Sequence, residues 1–172
     1  MSAWRHPIRI NDLASGPVSV TLAPDEAVRA DLAKQLGLES LPAFSGKIVA
    51  RQWLDGVELT GRFSARVEQV CGVSLDPFES ELDGQIEVRL APKGSPNAQP
   101  ESENEVNFDL ESPDPPDLLE GEEIDLAHYL VEALALEIDP FPRKPGVEFD
   151  YEPETKEESP FAVLQKLKDD QA

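Results

Sequence analysis

Residues 46 to 70 read GKIVARQWLDGVELTGRFSARVEQV, two alternating runs joined at Asp55-Gly56. Asp-Gly between alternating stretches signals a hairpin, because both central positions of a type I′ turn need positive φ. A turn centred there pairs Leu54 with Val57, Gln52 with Leu59, Ala50 with Gly61 and Ile48 with Phe63. Successive side chains point to opposite faces of a strand, so these mostly apolar residues share a face with Ala65 and Val67. Lys47, Val49, Arg51, Trp53, Glu58, Thr60, Arg62, Ser64, Arg66 and Glu68 take the other. FESELDGQIEVRL, residues 78 to 90, continues the alternation. It turns Phe78, Leu82, Ile86, Val88 and Leu90 inward, and Glu79, Glu81, Asp83, Glu87 and Arg89 outward. The pattern predicts an antiparallel sheet with one wet face.

Working outward, PIRI (7 to 10) and VSVTL (18 to 22) read as two short strands that pair with each other around the turn-rich NDLASGP. APDEAVRADLAKQLGL predicts a helix over 24 to 37. Pro24 suits its first position, Asp25 and Glu26 its positive end, and Gly37 its C-terminal cap, with Val28, Leu32 and Leu36 on one side. After Ala91 the chain turns to Pro, Ser, Asn and Glu. Residues 101 to 125 hold 11 acidic residues and no Lys or Arg, which predicts an acidic, partly disordered connector over 92 to 122, with VNFDL (106 to 110) its one strand-like piece. EIDLAHYLVEALALEID, apolar on most sides, predicts a largely buried helix over 123 to 139 that stops before Pro140. SPFAVLQKLKDD predicts a short amphipathic helix with Phe161, Leu164 and Leu167 on its apolar side.

The expected fold class is therefore α+β, an antiparallel sheet packed by two main helices. The division is a β-rich part with one helix over 1 to 91, the connector over 92 to 122, and a helical segment with tail over 123 to 172 that packs on the same domain. Net charge is −20, and it is uneven: residues 1 to 91 carry −4 and residues 92 to 172 carry −16. An acidic half repels bulk RNA and attracts basic proteins. No run of about 18 apolar residues is present to span a bilayer, and no signal-like apolar region opens the chain, so a cytoplasmic protein is expected. One cysteine excludes an internal disulfide, and His6 and His128 lack ligand spacing, so no metal and no cofactor are expected.

Two features carry candidate chemistry. Arg51, Trp53, Arg62 and Arg66, with Lys47, make a basic face interrupted by an aromatic, the surface with which a sheet grips RNA by phosphate contact and stacking. The competing reading pairs these arginines with Glu58, Glu68 and the carboxylates of the next strand as ordinary cross-strand ion pairs, and it is the stronger. Cys71, in CGVSLDP, reads as a small buried hydrophobe whose thiol Glu68 and Asp76 would push up. No GxSxG elbow, Walker loop, GxGxxG fingerprint or HExxH helix occurs, so no catalytic residue is assigned and no enzyme is expected.

At CGVSLDPFESEL a likeness shows: the whole chain, nearly end to end, resembles the YceD family of bacterial and plastid large ribosomal RNA subunit accumulation proteins. Cys71 matches the first of the family's two spaced cysteines, Ser74 replaces the second, and Leu75, Pro77 and Phe78 continue the motif. IDLAHYLVEALALEIDPFP (124 to 142) is similar to the family's Leu-rich helix ending in Pro, and SPFAVLQKLK (159 to 168) to its C-terminal block. The resemblance implies a non-catalytic role in synthesis, processing or stability of large-subunit (23S) ribosomal RNA. Its implied partner is ribosomal RNA or a large-subunit precursor particle, or a basic ribosomal protein, with no membrane. The loss of the second cysteine means that no paired-thiol role carries over. The alternatives are an acidic adaptor or chaperone for a basic protein, and a metal-dependent RNA-processing hydrolase.

Overall fold

The structure, a computed structural model, describes residues 4 to 98 and 115 to 149. In chain order these form β1 (Pro7–Arg9), a 3-10 helix (Ile10–Ser15), β2 (Val18–Leu22), α1 (Glu26–Leu36), β3 (Ser40–Trp53), β4 (Gly56–Val70), β5 (Pro77–Pro92), β6 (Asp117–Leu119), β7 (Glu123–Asp125) and α2 (Leu126–Glu137). Five strands lie side by side in the order β2-β3-β4-β5-β6, and β1 pairs with β7 in a separate ribbon. Every pair is antiparallel except β5 with β6. The protein is thus α+β with a mostly antiparallel sheet, as the alternation predicts.

The hairpin register differs from the predicted one. Trp53 faces Gly56, Gln52 faces Val57, Ala50 faces Leu59 and Ile48 faces Gly61. The turn sits on Leu54-Asp55, and Leu54 takes the positive φ of 51°. Gly56 instead lies inside the sheet, where a Cβ would stand 1.9 Å from the Leu90 carbonyl oxygen. Space, not turn conformation, demands that glycine. Sliding the pairing by two residues leaves every side chain on its predicted face, because the side-chain period is two. Ile48, Ala50, Val57, Leu59, Phe63, Ala65 and Val67 are all buried.

β1 and β2 do not pair with each other. β2 joins β3, with Val18 opposite Ala50, while β1 joins β7, with Ile8 opposite Ile124. The β1–β7 ribbon buries Ile8 and Ile124 together in the core. A local alternation pattern cannot name so distant a partner. The predicted second helix is shortened for the same reason. Glu123–Asp125 is extended, and Asp125 caps α2 by accepting from Ala127 N at 3.2 Å and from His6 N at 2.8 Å, while Arg5 Nε donates to it at 3.0 Å. Burial pushes the Asp125 carboxyl up, but the His6 N–H, Arg5 and the Ala127 N–H outweigh it and hold the group below its usual value.

In α1, Asp25 is the N-cap and accepts from Val28 N at 2.9 Å, so Pro24 precedes the cap instead of opening the helix. Gly37 closes the helix in the left-handed conformation, φ 70°. α1 buries Leu32 and Ala33 against β3. α2 sets Leu126, Leu130 and Leu134, all fully buried, against the sheet. Each such leucine contributes about 1.5–3 kcal/mol. Its other side is more open than predicted, with Leu136 83% exposed. VNFDL, SPFAVLQKLKDD and the middle of the acidic connector lie outside the described residues.

Candidate functional site

The solvent face of the sheet carries the four residues singled out by charge and aromaticity, but the structure does not gather them. Arg51 and Trp53 lie at the hairpin end of β3. Arg62 and Arg66 lie on β4, with Arg62 opposite Lys47 and Arg66 opposite Ala43 and Glu81. At about 3.3 Å per residue, Arg62 is roughly 13 Å from Arg66 along the strand and further still from Trp53.

At the hairpin end, Glu58 stands between Arg51 on β3 and Arg89 on β5, directly opposite both. It is 4% exposed. One carboxylate oxygen takes the Arg51 guanidinium, and the other accepts from Arg89 Nε at 3.2 Å. Burial pushes the Glu58 carboxyl up, and the hydrogen bonds and charges of Arg51 and Arg89 overcome that and hold it below its ordinary value. The Arg89 guanidinium also lies over the Trp53 ring, 5.5 Å from its centroid. Trp53 therefore packs on its own chain's cation, half-buried. At the far end Arg66 reaches Glu81 at 3.4 Å and Glu79 at 3.9 Å. Arg62 and Lys47, both exposed, have no ion-pair partner among the described residues. The face is thus balanced in charge over most of its length, with a small uncompensated basic spot at its centre.

The second feature is the turn between β4 and β5. Cys71 N donates to Asp76 O at 2.9 Å and Leu75 N donates to Cys71 O at 3.0 Å, closing the turn on itself. Leu75 has φ 60° and is 75% exposed, Pro77 opens β5 opposite Val70, and Phe78 is half-buried. Cys71 is fully buried. Its Sγ accepts three backbone N–H groups: Val73 and Ser74 at 3.4 Å, and Lys144 at 3.3 Å. The segment after α2 is fastened here as well, by Gly72 N to Pro142 O at 2.9 Å, Gln69 Nε2 to Asp139 O at 3.0 Å, and Lys144 Nζ to Asp76 at 3.8 Å.

This corrects the expected thiol. The Ser74 N–H, the Lys144 N–H and the Ser74 hydroxyl, with the Val73 N–H, outweigh burial and bring Cys71 down to about 6. Ser74 supplies both a backbone and a side-chain donor to Cys71. The pH dependence follows from the sign. Between about 6 and the thiol's ordinary 9.0 the unfolded chain holds a proton that the native chain has released, so stability rises with pH across that window and the contribution is absent below it. Denaturation midpoints from pH 5 to 9.5 should show this rise, and Cys71→Ser should remove it. A wild-type profile that is flat from 6 to 9 would refute the thiolate.

The sequence announces the residues of the site better than it announces their partners. Alternation alone puts Glu58 on the correct face, and the observed hairpin register is what sets Arg51 opposite it. The donors to Cys71 are mostly backbone groups, including one 73 residues away, and apart from the Ser74 hydroxyl no side-chain identity announces them. Among the described residues no group of three His, Cys, Asp or Glu is arranged to hold a metal ion, and no helix is long and apolar enough to cross a membrane.

No curated protein and no solved structure matches this chain. A family model, large ribosomal RNA subunit accumulation protein YceD, matches residues 59 to 168. The match begins inside β4, takes in Arg62, Arg66, the Cys71 turn and α2, and leaves Arg51 and Trp53 outside it. More than half of the sequence, including the turn that Cys71 organises and the helix and loop that close over it, is covered, and the chain belongs to the YceD family of large ribosomal RNA subunit accumulation proteins.

Proposed function

We propose that this protein is a non-catalytic factor in assembly of the large ribosomal subunit, supporting synthesis, processing or stability of 23S ribosomal RNA through contact with a basic partner protein. Family membership carries the assembly role. The balanced sheet face supports the protein contact over an RNA grip. Affinity for phosphate comes from uncompensated Lys and Arg, and here Glu58 engages Arg51 and Arg89 while Glu79 and Glu81 engage Arg66. An overall charge of −20 adds to the repulsion of nucleic acid and to the attraction of basic protein.

The test of the role is the ratio of large- to small-subunit ribosomal RNA in cells depleted of the protein. A selective fall, restored by the intact gene, is expected; an unchanged ratio would sink the assembly role. The mechanism is tested with Arg62→Glu combined with Arg66→Glu. Under protein contact, association with pre-ribosomal particles stays within about twofold, whereas direct phosphate contact would show as a loss of tenfold or more with a shallower salt dependence. The hydrolase reading has its own check, metal-dependent cleavage of RNA by the purified protein.

A further inference from the structure

β5 is a 16-residue strand, and β6 joins its outer side only at Leu90, Ala91 and Pro92. Among the described residues no other strand pairs with that side. Along Glu79–Arg89 alternate residues therefore turn N–H and C=O groups toward an open edge. Such an edge is a template for an added strand, and β6 shows that this one already accepts one.

The surroundings define what would add. On the solvent face the edge strand presents Glu79, Glu81, Asp83 and Glu87, all exposed. Asp83 has no ion-pair partner among the described residues. On the core face Glu137 of α2 lies beside Gly84, its Cγ 3.2 Å from where a Cβ would stand. Carboxylates thus flank the edge from both sides. Between them Leu82 and Val88 are only half-buried, although Ala65 and Leu59 opposite them on β4 are buried. A neighbouring strand with apolar residues on the core side would finish that burial.

We propose that the open edge of β5 takes up an extended segment of a basic protein, one that alternates Lys or Arg with Val, Ile or Leu, as an additional strand. This rests on the protein-partner reading above and gives it an address. Main-chain hydrogen bonds along Glu79–Arg89 hold the segment, the cations face Glu79, Glu81, Asp83 and Glu87, and the apolar side chains cover Leu82 and Val88. An RNA strand has neither the N–H ladder nor the charge for this edge.

The test is hydrogen exchange on the full chain with two peptides of equal charge, five repeats of Lys-Val and five of Lys-Pro, the second lacking half of the N–H donors. Strand addition slows alternate amides of residues 79 to 89 by about tenfold or more with the Lys-Val peptide and not with the Lys-Pro peptide. If both peptides bind equally and protect nothing, the attraction is diffuse and the edge proposal falls. It falls too if these amides are already protected in the free chain and are released by deleting residues 99 to 114, because the chain then fills its own edge. Protection by an oligoribonucleotide would overturn the choice of partner. The ribosomal RNA ratio in depleted cells is measured independently, so a selective fall without peptide-dependent protection removes the edge and leaves the assembly role standing.

Discussion

Gly56→Ala should lower stability by about 3 kcal/mol in urea denaturation, at the upper end of what overpacking costs. The added Cβ would lie 1.9 Å from the Leu90 carbonyl oxygen, 3.0 Å from the Leu90 carbonyl carbon and 3.1 Å from the Ala91 Cα, all backbone atoms with no rotamer in which to retreat. β4 and β5 must part at the point where Val57 faces Leu90, and both of these residues are fully buried. Gly56→Asn separates this account from one based on turn conformation. Asparagine tolerates positive φ, so a glycine needed for the turn would be replaced at little cost, whereas a glycine needed for space would not. A loss below about 1 kcal/mol for Gly56→Asn would restore the conformational explanation. Leu54→Gly, at the residue that does hold the positive φ, should be neutral or slightly stabilising in the same assay.

Leu130→Ala should cost about 3–5 kcal/mol, the range for a fully buried leucine whose site cannot collapse. The reason it cannot collapse lies across the interface. Leu130 Cδ1 occupies the space above Gly46 on β3, 2.3 Å from where a Cβ there would be. Helix and strand are shaped to each other at this pair, which gives a coupling prediction. Gly46→Ala should be strongly destabilising in the wild type, and cheaper by about 1–2 kcal/mol once Leu130 is already alanine. The rescue is partial, because Phe63 Cβ and the Arg62 carbonyl oxygen still stand at 3.1 and 3.2 Å. Strict additivity of the two costs would show that the residues do not share that space.

The faces of the sheet were legible because alternation is a property of each strand by itself, and it survived a two-residue error in register. Register was not legible. Asp55-Gly56 carries the local signature of a turn, but the tertiary approach of Leu90 claimed Gly56 for the sheet and passed the positive φ to Leu54. α1 was readable nearly to its caps, since cap, dipole and periodicity signals lie within its own residues. β1 and β7 were not paired in advance, because Ile8 and Ile124 look no different from any other isoleucine until they meet. The candidate site divides along the same line. Arg51, Arg62 and Arg66 could be assigned to the solvent face, whereas the neutralisation of Arg51 depends on a register. The environment of Cys71 depends on a loop whose donors are main-chain N–H groups and the Ser74 hydroxyl, and these with burial set the thiol, not the charges of Glu68 and Asp76 that are visible in sequence.

The β1–β7 ribbon fixes an order of events as the chain is made. His6 bonds to Asp125 across 119 residues, so β1 has no partner until that distance has been synthesised, roughly 6–24 s at about 5–20 residues per second. The β3–β4–β5 meander, whose contacts are local in sequence, can assemble long before. For that interval Ile8 is uncovered and its neighbours on β1 have open backbone groups, while the capping carboxylate of Asp125 is still to come. β1 leaves the ribosome well before the strand it needs, and is in this way among the last elements to find its place.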